Sequence, residues 1–213
     1  EVQIKKIDYK KDLKHLYRPS VKKVENVDVP AMFFLMIDGR GDPNTSRTFQ
    51  DAVETLYSVS YTLKFMIKKG GAEIDYAVMP LEGLWWMENM SEFSQERKDK
   101  WLWTVMIMQP DFITHELVGE VTEQVRKKKN LEALPLLRFE RYSEGTAAQI
   151  MHIGPFSEEG PNIEKIHKHI HEQNCILKGR HHEIYLSDLR RTVPEKLKTV
   201  LRQPYSELKP ENE

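Results

Sequence analysis

The sequence predicts an α+β fold in which duplicated β-α-β-β modules form one antiparallel sheet, with helices on one face and a ligand cavity on the other. The main observation is an internal repeat, because the order strand, glycine, helix, glycine, strand begins at Ala31 and again at Ala147. Each copy also closes on a strand of related sequence, TVMIMQP at 104–110 and TVLRQP at 199–204. Two such modules leave a concave surface at the pseudo-twofold axis between them, where we expect the cavity.

The repeat divides the chain into three parts. Residues 1–30 are predicted to form a Lys-rich N-terminal helix followed by an extended arm. Residues 31–205 form the duplicated domain, and residues 206–213 are predicted to be a flexible tail. The two modules and the helix that links them are expected at about 31–110, 136–205 and 113–129, respectively.

The first module begins with a continuous apolar run at 31–37, which is typical of a buried strand, and then enters a glycine-containing turn at 38–43. A capped helix follows, in which apolar residues recur every three or four positions until Gly70-Gly71 ends it. The side chains of residues 74–80 alternate between the two sides of an extended segment, and residues 101–109 form another apolar run. Both segments are therefore predicted to be strands.

The second module follows a linking helix whose acidic residues come early and whose basic residues come late, as the helix dipole favours. Two strands around the turn SEG at 143–145 are predicted to form a hairpin. A helix, an alternating strand and a last strand before Pro204 complete the module. The predicted elements lie at 136–142, 146–153, 158–174, 183–188 and 197–203.

The alternating strand carries the first candidate for chemistry. Ile184 and Leu186 point to one side, which suits a sheet face under helices, whereas Glu183 and Tyr185 point to the other. A carboxylate on a cavity wall can hold a cation, or can act as an acid or base if its surroundings tune its pKa. The alternative is a glutamate on a solvated sheet face. Because the repeat places this strand at the cavity, we favour a functional role for Glu183.

Aligning the repeat adds two candidates and a second region. Glu183 aligns with Asp75, which should then also face the cavity, and Ile184 aligns with Tyr76, which falls on the helix-covered side unless a bulge intervenes. Tryptophans usually serve core packing, but four on neighbouring strands also suit a flat-walled pocket for an aromatic or lipophilic ligand. The expected ligand-binding residues are Trp85, Trp86, Trp101, Trp103, Tyr76 and Asp75.

Composition excludes several classes of protein. With 32 basic and 33 acidic residues the net charge is -1, which argues against recruitment to nucleic acid by bulk charge. The longest apolar run is far shorter than a membrane span, so we expect no membrane association. A single cysteine, Cys175, fits a reducing cytoplasm. The sequence leaves the formation of a homodimer open.

We expect neither a metal nor a cofactor. His167 and His171 lie one helical turn apart with Glu164 near the same face, but that face is expected to meet solvent. The glycines at 39 and 41 lack the rest of a phosphate-binding motif, so they are read as a turn. There is also no Gly-x-Ser-x-Gly stretch of a serine hydrolase.

Several motifs resemble those of the GyrI-like small-molecule-binding domain family. The likeness runs from about residue 3 to 205. The segments that carry it are LEGLWW at 81–86, WTVMIMQP at 103–110, QIMHIGP at 149–155, HEIYLSD at 182–188, and RRT and PEKLKT within 190–199.

The resemblance implies a duplicated fold with a ligand cavity between its halves. Family members serve as effector-binding domains of transcription regulators, in which a buried glutamate meets cationic lipophilic drugs. Stand-alone members are associated with hydrolysis of cyclopropane-bearing DNA-alkylating natural products, in which a carboxylate directs water onto the strained ring. The glutamate carried over by its motif is Glu183. The regulators' DNA-binding domain has no counterpart here, so we expect no direct contact with nucleic acid.

Three hypotheses follow for the function. The first is a cytoplasmic hydrolase that detoxifies lipophilic electrophiles, with Glu183 as general base or water-positioning group, Tyr185 as hydrogen-bond donor and the tryptophans as aromatic walls. The second is a non-catalytic protein that sequesters cationic or aromatic compounds, or that partners a regulator. The third is an inhibitor that binds another protein, since some family members are linked to DNA gyrase.

Overall fold

The computed structural model describes residues 5–71 and 74–208. Strands are β1 (Lys5–Ile7), β2 (Glu25–Val29), β3 (Met32–Arg40), β4 (Ile74–Tyr76), β5 (Leu81–Trp86), β6 (Leu102–Gln109), β7 (Arg138–Tyr142), β8 (Gly145–Ile153), β9 (Cys175–Leu177), β10 (His181–Tyr185) and β11 (Lys198–Glu207). Helices are α1 (Tyr9–Asp12), α2 (Lys14–Tyr17), α3 (Arg47–Lys69), α4 (His115–Lys128) and α5 (Gly160–Glu172). Short 3-10 helices lie at Met90–Glu92, Gln95–Lys100, Leu134–Leu136, Phe156–Glu158 and Pro194–Lys196.

These elements form two units, each of which is interrupted in sequence. Unit 1 comprises Glu1–Asp12 and Met32–Tyr142, and unit 2 comprises Leu13–Ala31 and Ser143–Glu213. Both combine antiparallel sheet strands with long helices packed on one side of them, which confirms the predicted α+β class. Within the described residues, no helix combines the length and apolar character needed to cross a lipid bilayer.

In unit 1, strands β5, β6, β3 and β7 lie side by side in that order, and each neighbouring pair is antiparallel. The long helix α3 packs on β3 and β6, with α4 beside it. It begins at Ser46, whose Oγ accepts a hydrogen bond from the backbone N–H of Phe49, as expected of a helix cap. Its stripe of buried residues includes Leu56, Val59 and Leu63, so the predicted helix is confirmed.

In unit 2, the strand order is β2, β8, β11 and β10, again antiparallel, and β9 pairs with the far end of β11. Helix α5 covers one face, where Ile166 and Ile170 pack with Ala148, Ile150 and Leu201. The segment around α2 covers the opposite face. There Arg202 Nη2 donates to the carbonyl of Leu16 at 2.7 Å, and Gln149 Nε2 donates to that of His15 at 2.7 Å.

The predicted N-terminal arm is not a separate part of the chain. Its last residues form β2, which hydrogen-bonds to β8 and therefore belongs to unit 2. The tail predicted at 206–213 begins within β11, and residues 209–213 of that prediction lie outside the described residues, as do residues 1–4 of the predicted arm. The helix predicted at 113–129 is α4, at His115–Lys128.

Two predictions about strands are wrong. β7 and β8 do not form a hairpin: β7 pairs with β3, whereas β8 pairs with β2 and β11. The segment predicted as one strand at 74–80 is only β4, which pairs with β1 in a separate two-stranded sheet. In the order of elements, β4 corresponds to β9 and β5 to β10, so Asp75 is not the counterpart of Glu183.

Candidate functional site

Glu183 lies on the face of unit 2 that α5 covers. In the antiparallel register it is directly opposite Leu201, which is opposite Ile150, and both of these side chains pack against α5. Directly opposed residues share a face of the sheet, so the prediction that Glu183 faces away from the helices is wrong. An alternating strand predicts one dry and one wet face, but β10 is covered on both sides, and Ile184 is fully buried on the other face.

Glu183 accepts hydrogen bonds from both neighbours on its face of β10. His181 Nε2 donates to its Oε1 at 2.9 Å, and Tyr185 Oη donates to its Oε2 at 2.8 Å. The spacing of two residues places all three side chains on one side of the strand. The side chains of Glu183 and His181 are only 12% and 8% exposed. The structure thus brings the two predicted catalytic residues into contact and adds His181.

The surroundings of Glu183 keep its carboxylate ionised. Burial by itself raises the pKa of Glu183, because a charged group loses its hydration in a site that excludes water. The hydrogen bond and charge of His181, together with hydrogen bonds from Tyr185 and Glu159, outweigh burial and hold the pKa below its ordinary value. A carboxylate of this kind can attract a cation or orient a water molecule, although it is a weak base.

The connection from β8 to α5 covers this end of β10. It begins at Gly154, whose φ of 137° is a conformation that favours glycine. His152 fastens the connection, since its Nε2 bonds to the carbonyl of Pro155 at 3.1 Å and its Nδ1 to Asn162 Nδ2 at 3.1 Å. The ring of Phe156 then meets Tyr185 edge-on at 5.8 Å between centroids.

Sequence reasoning missed several of these residues. His181 could have been found, because it shares the facing of Glu183 on an alternating strand. Glu159, the first residue before α5, gave no such signal, because a glutamate at a helix start is ordinarily explained by the helix dipole. Phe156 and His152 come from the loop that crosses the strand, and no periodicity reports where a loop packs.

The tryptophans of unit 1 do not all share one surface. Trp85 and Trp103 are directly opposed on β5 and β6, and both contact Phe49 of α3. Trp101 packs edge-on against Trp85 at 5.5 Å. These three tryptophans form one buried aromatic cluster on the face that α3 covers. Trp86 alternates to the other face of β5 and is half-buried, so it is not part of the cluster.

Close packing at Gly39 fixes the orientation of the Trp103 ring. A Cβ at Gly39 would lie 2.1 Å from this indole, so any larger residue would collide with it. Gly39 and Trp103 are directly opposed in the β3–β6 pair, which is why the ring lies flat on the glycine backbone. The turn glycine of the sequence prediction therefore has a packing role.

Asp75 and Tyr76 lie on the small β1–β4 sheet of unit 1. Asp75 pairs with Lys64 at 3.0 Å and with Lys68 at 2.8 Å, both from α3. The hydrogen bonds of Lys68 and Lys64 lower the pKa of Asp75. Tyr76 is buried edge-on against Phe112, and burial raises its pKa. The observed contacts of both residues tie β4 to its own unit.

The described residues contain no group of three His, Cys, Asp or Glu side chains that could hold a metal ion. One histidine of α5, His167, instead lies near His181 of β10. His167 is half-buried, and burial followed by the charges of His181 and His171 lowers its pKa.

Comparison with known proteins places this geometry in a family. Residues 22–205 match the sequence profile of the GyrI-like small molecule binding domain. An uncharacterised conserved protein from Listeria innocua is 41% identical, with 94% of this chain and 100% of that chain covered and a TM-score of 0.87. A Listeria innocua protein named as a hydrolase is also 41% identical over 94% and 100% of the two chains, with a TM-score of 0.82.

More distant similarity concerns the fold alone. The C-terminal domain of EcmrR is 10% identical over 87% of this chain and 98% of that domain, with a TM-score of 0.54. No curated protein sequence matches the chain.

Proposed function

The chain belongs to the GyrI-like small-molecule-binding domain family, and from that premise we propose that it is a hydrolase of lipophilic electrophiles. Its substrates would carry a strained, electrophilic ring, such as the cyclopropane of a DNA-alkylating compound, and the reaction would detoxify them in the cytoplasm. The observation that carries the proposal is the Glu183 carboxylate, which is nearly buried, ionised and held by donors on both oxygens. The 41%-identical protein named as a hydrolase supports it.

The proposed reaction adds one water molecule to the ring. The water oxygen bonds to a ring carbon, and the carbon–carbon bond of the ring breaks. Its electron pair moves onto the conjugated carbonyl oxygen of the substrate, which takes up a proton. The proton that the water releases goes to Glu183 and then to solvent, and solvent supplies the proton on the carbonyl oxygen, so the product is the substrate plus water with no oxidant or cofactor required.

The hydrogen bonds around Glu183 limit how it can act. An ionised carboxylate offers about four lone-pair sites, and His181, Tyr185 and Glu159 occupy three of them. The remaining site has a defined direction, so a water bound there would be oriented. Because these donors lower the basicity of Glu183, we assign it the orientation of water and the acceptance of its proton late in ring opening.

We also propose that the aromatic cluster contributes to substrate binding. Trp85, Trp101 and Trp103 present indole rings that suit the flat aromatic part of a lipophilic ligand. Trp86, Asp75 and Tyr76 remain predictions of the sequence, and their contacts give them less support. Tryptophan fluorescence during titration with substrate tests the cluster, with Trp86→Phe as the variant expected to keep most of the signal change.

The test of turnover uses a cyclopropane-bearing alkylator and mass spectrometry. The wild type should give the ring-opened product with one added water. Glu183→Gln keeps the size of the side chain but removes its charge, and should lower the rate at least about 100-fold, as expected for loss of a catalytic acid–base group. Glu158→Gln, an exposed neighbour of the site, should turn over as the wild type does. Undiminished turnover by Glu183→Gln would contradict the assignment.

The second candidate function is binding without turnover. It is favoured by the lowered pKa of Glu183, since a carboxylate that stays charged suits a cationic aromatic ligand better than it suits a base. Calorimetry with such a ligand should then show binding that Glu183→Gln weakens, while mass spectrometry finds no product. The appearance of the hydrated product would decide for the hydrolase.

A further inference from the structure

Helix α3 carries a row of three aromatic side chains on its outer surface. Tyr57, Tyr61 and Phe65, which we call the aromatic row, follow one another at intervals of about one helical turn. Their rings stack at 6.3 Å and 6.5 Å between centroids, with interplanar angles of 29° and 28°. Tyr61 is 47% exposed and Phe65 is 48% exposed. Single exposed apolar residues are ordinary, whereas adjoining ones mark a surface for interaction.

Packing within unit 1 does not explain the aromatic row. The fully buried residues Leu56, Val59 and Leu63 lie on the opposite side of α3, since successive residues of an α-helix are rotated by about 100°. Helix α4 adjoins one flank of the row, where Lys129 Nζ donates to Ser58 Oγ at 3.3 Å. Strand β4 adjoins the other flank. The row itself lies between these two elements and faces outward.

Charged side chains flank the aromatic row symmetrically. Glu54 lies seven residues before Tyr61 and Lys68 lies seven residues after it, and both are exposed. A spacing of seven keeps side chains on one seam of a helix, as in coiled coils. Lys68 pairs with Asp75 at 2.8 Å, but Asp75 is shared with Lys64 at 3.0 Å. The end of the seam at Lys68 therefore keeps a surplus of positive charge.

The other end of the seam is negative. Arg47 pairs with Asp51 at 2.9 Å, which leaves Glu54 as the excess charge of the first turns of α3. A seam with opposite charges at its two ends is complementary to a second copy of itself in antiparallel orientation. A parallel copy would instead place Glu54 against Glu54 and Lys68 against Lys68.

We propose that the protein forms a homodimer through antiparallel α3 helices, with Tyr61 at the twofold axis. Each residue then faces the residue that lies equally far on the other side of Tyr61 in the partner copy, so Glu54 faces Lys68 and Tyr57 faces Phe65. The twofold axis makes every contact occur twice, as in other isologous interfaces. The rings supply an apolar centre, and the ion pairs set the direction.

This inference is independent of the reaction proposed for Glu183, which lies in unit 2. It answers a question that the composition of the chain leaves open, and it gives the partner a defined chemistry. Because each copy contributes only three rings to the apolar centre, we expect the association to depend on protein concentration.

Sedimentation velocity at increasing protein concentration tests the dimer. The wild type should shift from the mass of one chain toward that of two. Tyr61→Glu places two carboxylates at the axis, and like charges in an interface cost several kcal/mol, so the dissociation constant should rise at least about 100-fold. Leu136→Glu is the matched control, because Leu136 is 60% exposed but lies outside α3. A wild type that stays monomeric, or an equal effect of Leu136→Glu, would overturn the proposal.

Exchange of the flanking charges tests the antiparallel direction. Glu54→Lys and Lys68→Glu should each weaken the homodimer at least about tenfold, because every flanking contact then joins like charges. An equal mixture of the two variants should form a heterodimer, since both of its flanking contacts join a lysine to a glutamate. Native mass spectrometry of the mixture distinguishes the species. A mixture without heterodimer, or charge variants that dimerise as the wild type does, would refute this interface.

Thermal unfolding of each variant separates loss of association from loss of the fold. Tyr61 and Glu54 are exposed, so their substitution should leave the chain folded. If Lys68→Glu unfolds because it places a second carboxylate beside Asp75, the comparison of Tyr61→Glu with Leu136→Glu still decides the proposal. Absence of a dimer would leave the role of Glu183 standing, and absence of turnover would leave the dimer standing.

Discussion

Two histidine–glutamate pairs lie on opposite faces of the strand β10. On the face under α5, His181 donates to Glu183 at 2.9 Å, with side chains 8% and 12% exposed. On the other face, His182 Nδ1 donates to Glu144 Oε2 at 2.6 Å, with side chains 2% and 1% exposed. Both pairs join an imidazole N–H to a glutamate carboxylate, so what distinguishes the candidate site from the structural pair is mainly their surroundings.

The other groups around the Glu144–His182 pair have structural roles. Arg202 Nε lies 3.9 Å from Glu144 Oε1, and the same side chain bonds to Gln149 and to the carbonyl of Leu16. Burial raises the pKa of Glu144, but the charges of His182 and Arg202 and the hydrogen bond from His182 hold it below its ordinary value. The Glu183 pair has a phenol and a second carboxyl group as partners, both of which can exchange protons. The candidate site thus has further partners that can exchange protons, whereas the further partners of the Glu144–His182 pair are an arginine and an amide, which do not titrate.

The largest expected effect is on folding, at Glu144. Glu144→Ala leaves the buried His182 and Arg202 without their anion, which should lower the free energy of unfolding by about 3–5 kcal/mol. Urea denaturation measures it, and Glu158→Ala, at an exposed position, should change it by less than about 0.5 kcal/mol. A loss below about 1 kcal/mol at Glu144 would show that this pair is not the structural one.

The pH dependence of the free energy of unfolding should also reflect the ionised Glu144 carboxylate. The pKa of Glu144 is lower in the folded protein than in the unfolded chain, so the unfolded chain binds more protons as the pH falls. The stability that Glu144 contributes is therefore complete above the ordinary glutamate pKa and is lost progressively below about pH 5. Urea unfolding of the wild type and of Glu144→Gln should show a difference that narrows toward acid pH. A constant difference would refute the linkage.

At Glu183 the expected effect on folding is smaller. Glu183→Gln preserves the volume of the side chain and its contact with Tyr185, so the free energy of unfolding should fall by only about 1 kcal/mol, the value of one ordinary hydrogen bond. The same denaturation experiment compares it with Glu144→Gln, which should lose more. Equal losses would erase the distinction between the two faces.

The smallest structural effect is expected at Tyr185. Tyr185→Phe removes one donor from the Glu183 carboxylate and raises its pKa, while the ring keeps its contact with Phe156. Stability should change by less than about 1 kcal/mol, the value of an ordinary hydrogen bond, whereas kcat/KM should fall roughly tenfold, the equivalent of a rise of about one unit in the pKa of Glu183. Measurements of kcat/KM and of urea denaturation on the same preparation check both effects. A large loss of stability with normal kcat/KM would show that Tyr185 has a structural role instead.

Local patterns in the sequence predicted much of this architecture. The capped start and the apolar stripe of α3, and the shared face of Glu183 and Tyr185, follow from spacings of a few residues. The contacts that the sequence did not predict join residues that are distant in the chain. Glu144 meets His182 from 38 residues away, and Glu159 is separated from Glu183 by the helix α5 and the strand β9, so no periodicity marks either. The alignment of the repeat matched β4, instead of β5, with β10 for another reason. Both segments have the sequence character of strands, and only their pairing partners show which of them corresponds to β10.

The strand β2 has a consequence for the order in which the chain can fold as it is made. It pairs with β8, and the side chains of Asp28 and Thr146, 118 residues apart, meet across that pair. A ribosome therefore releases β2 early, completes the whole of β3 to β7, and only then supplies the partner that β2 requires. Unit 1 can fold while residues 13–31 still lack a partner strand. Unit 2, which contains Glu183, therefore completes its folding last during synthesis.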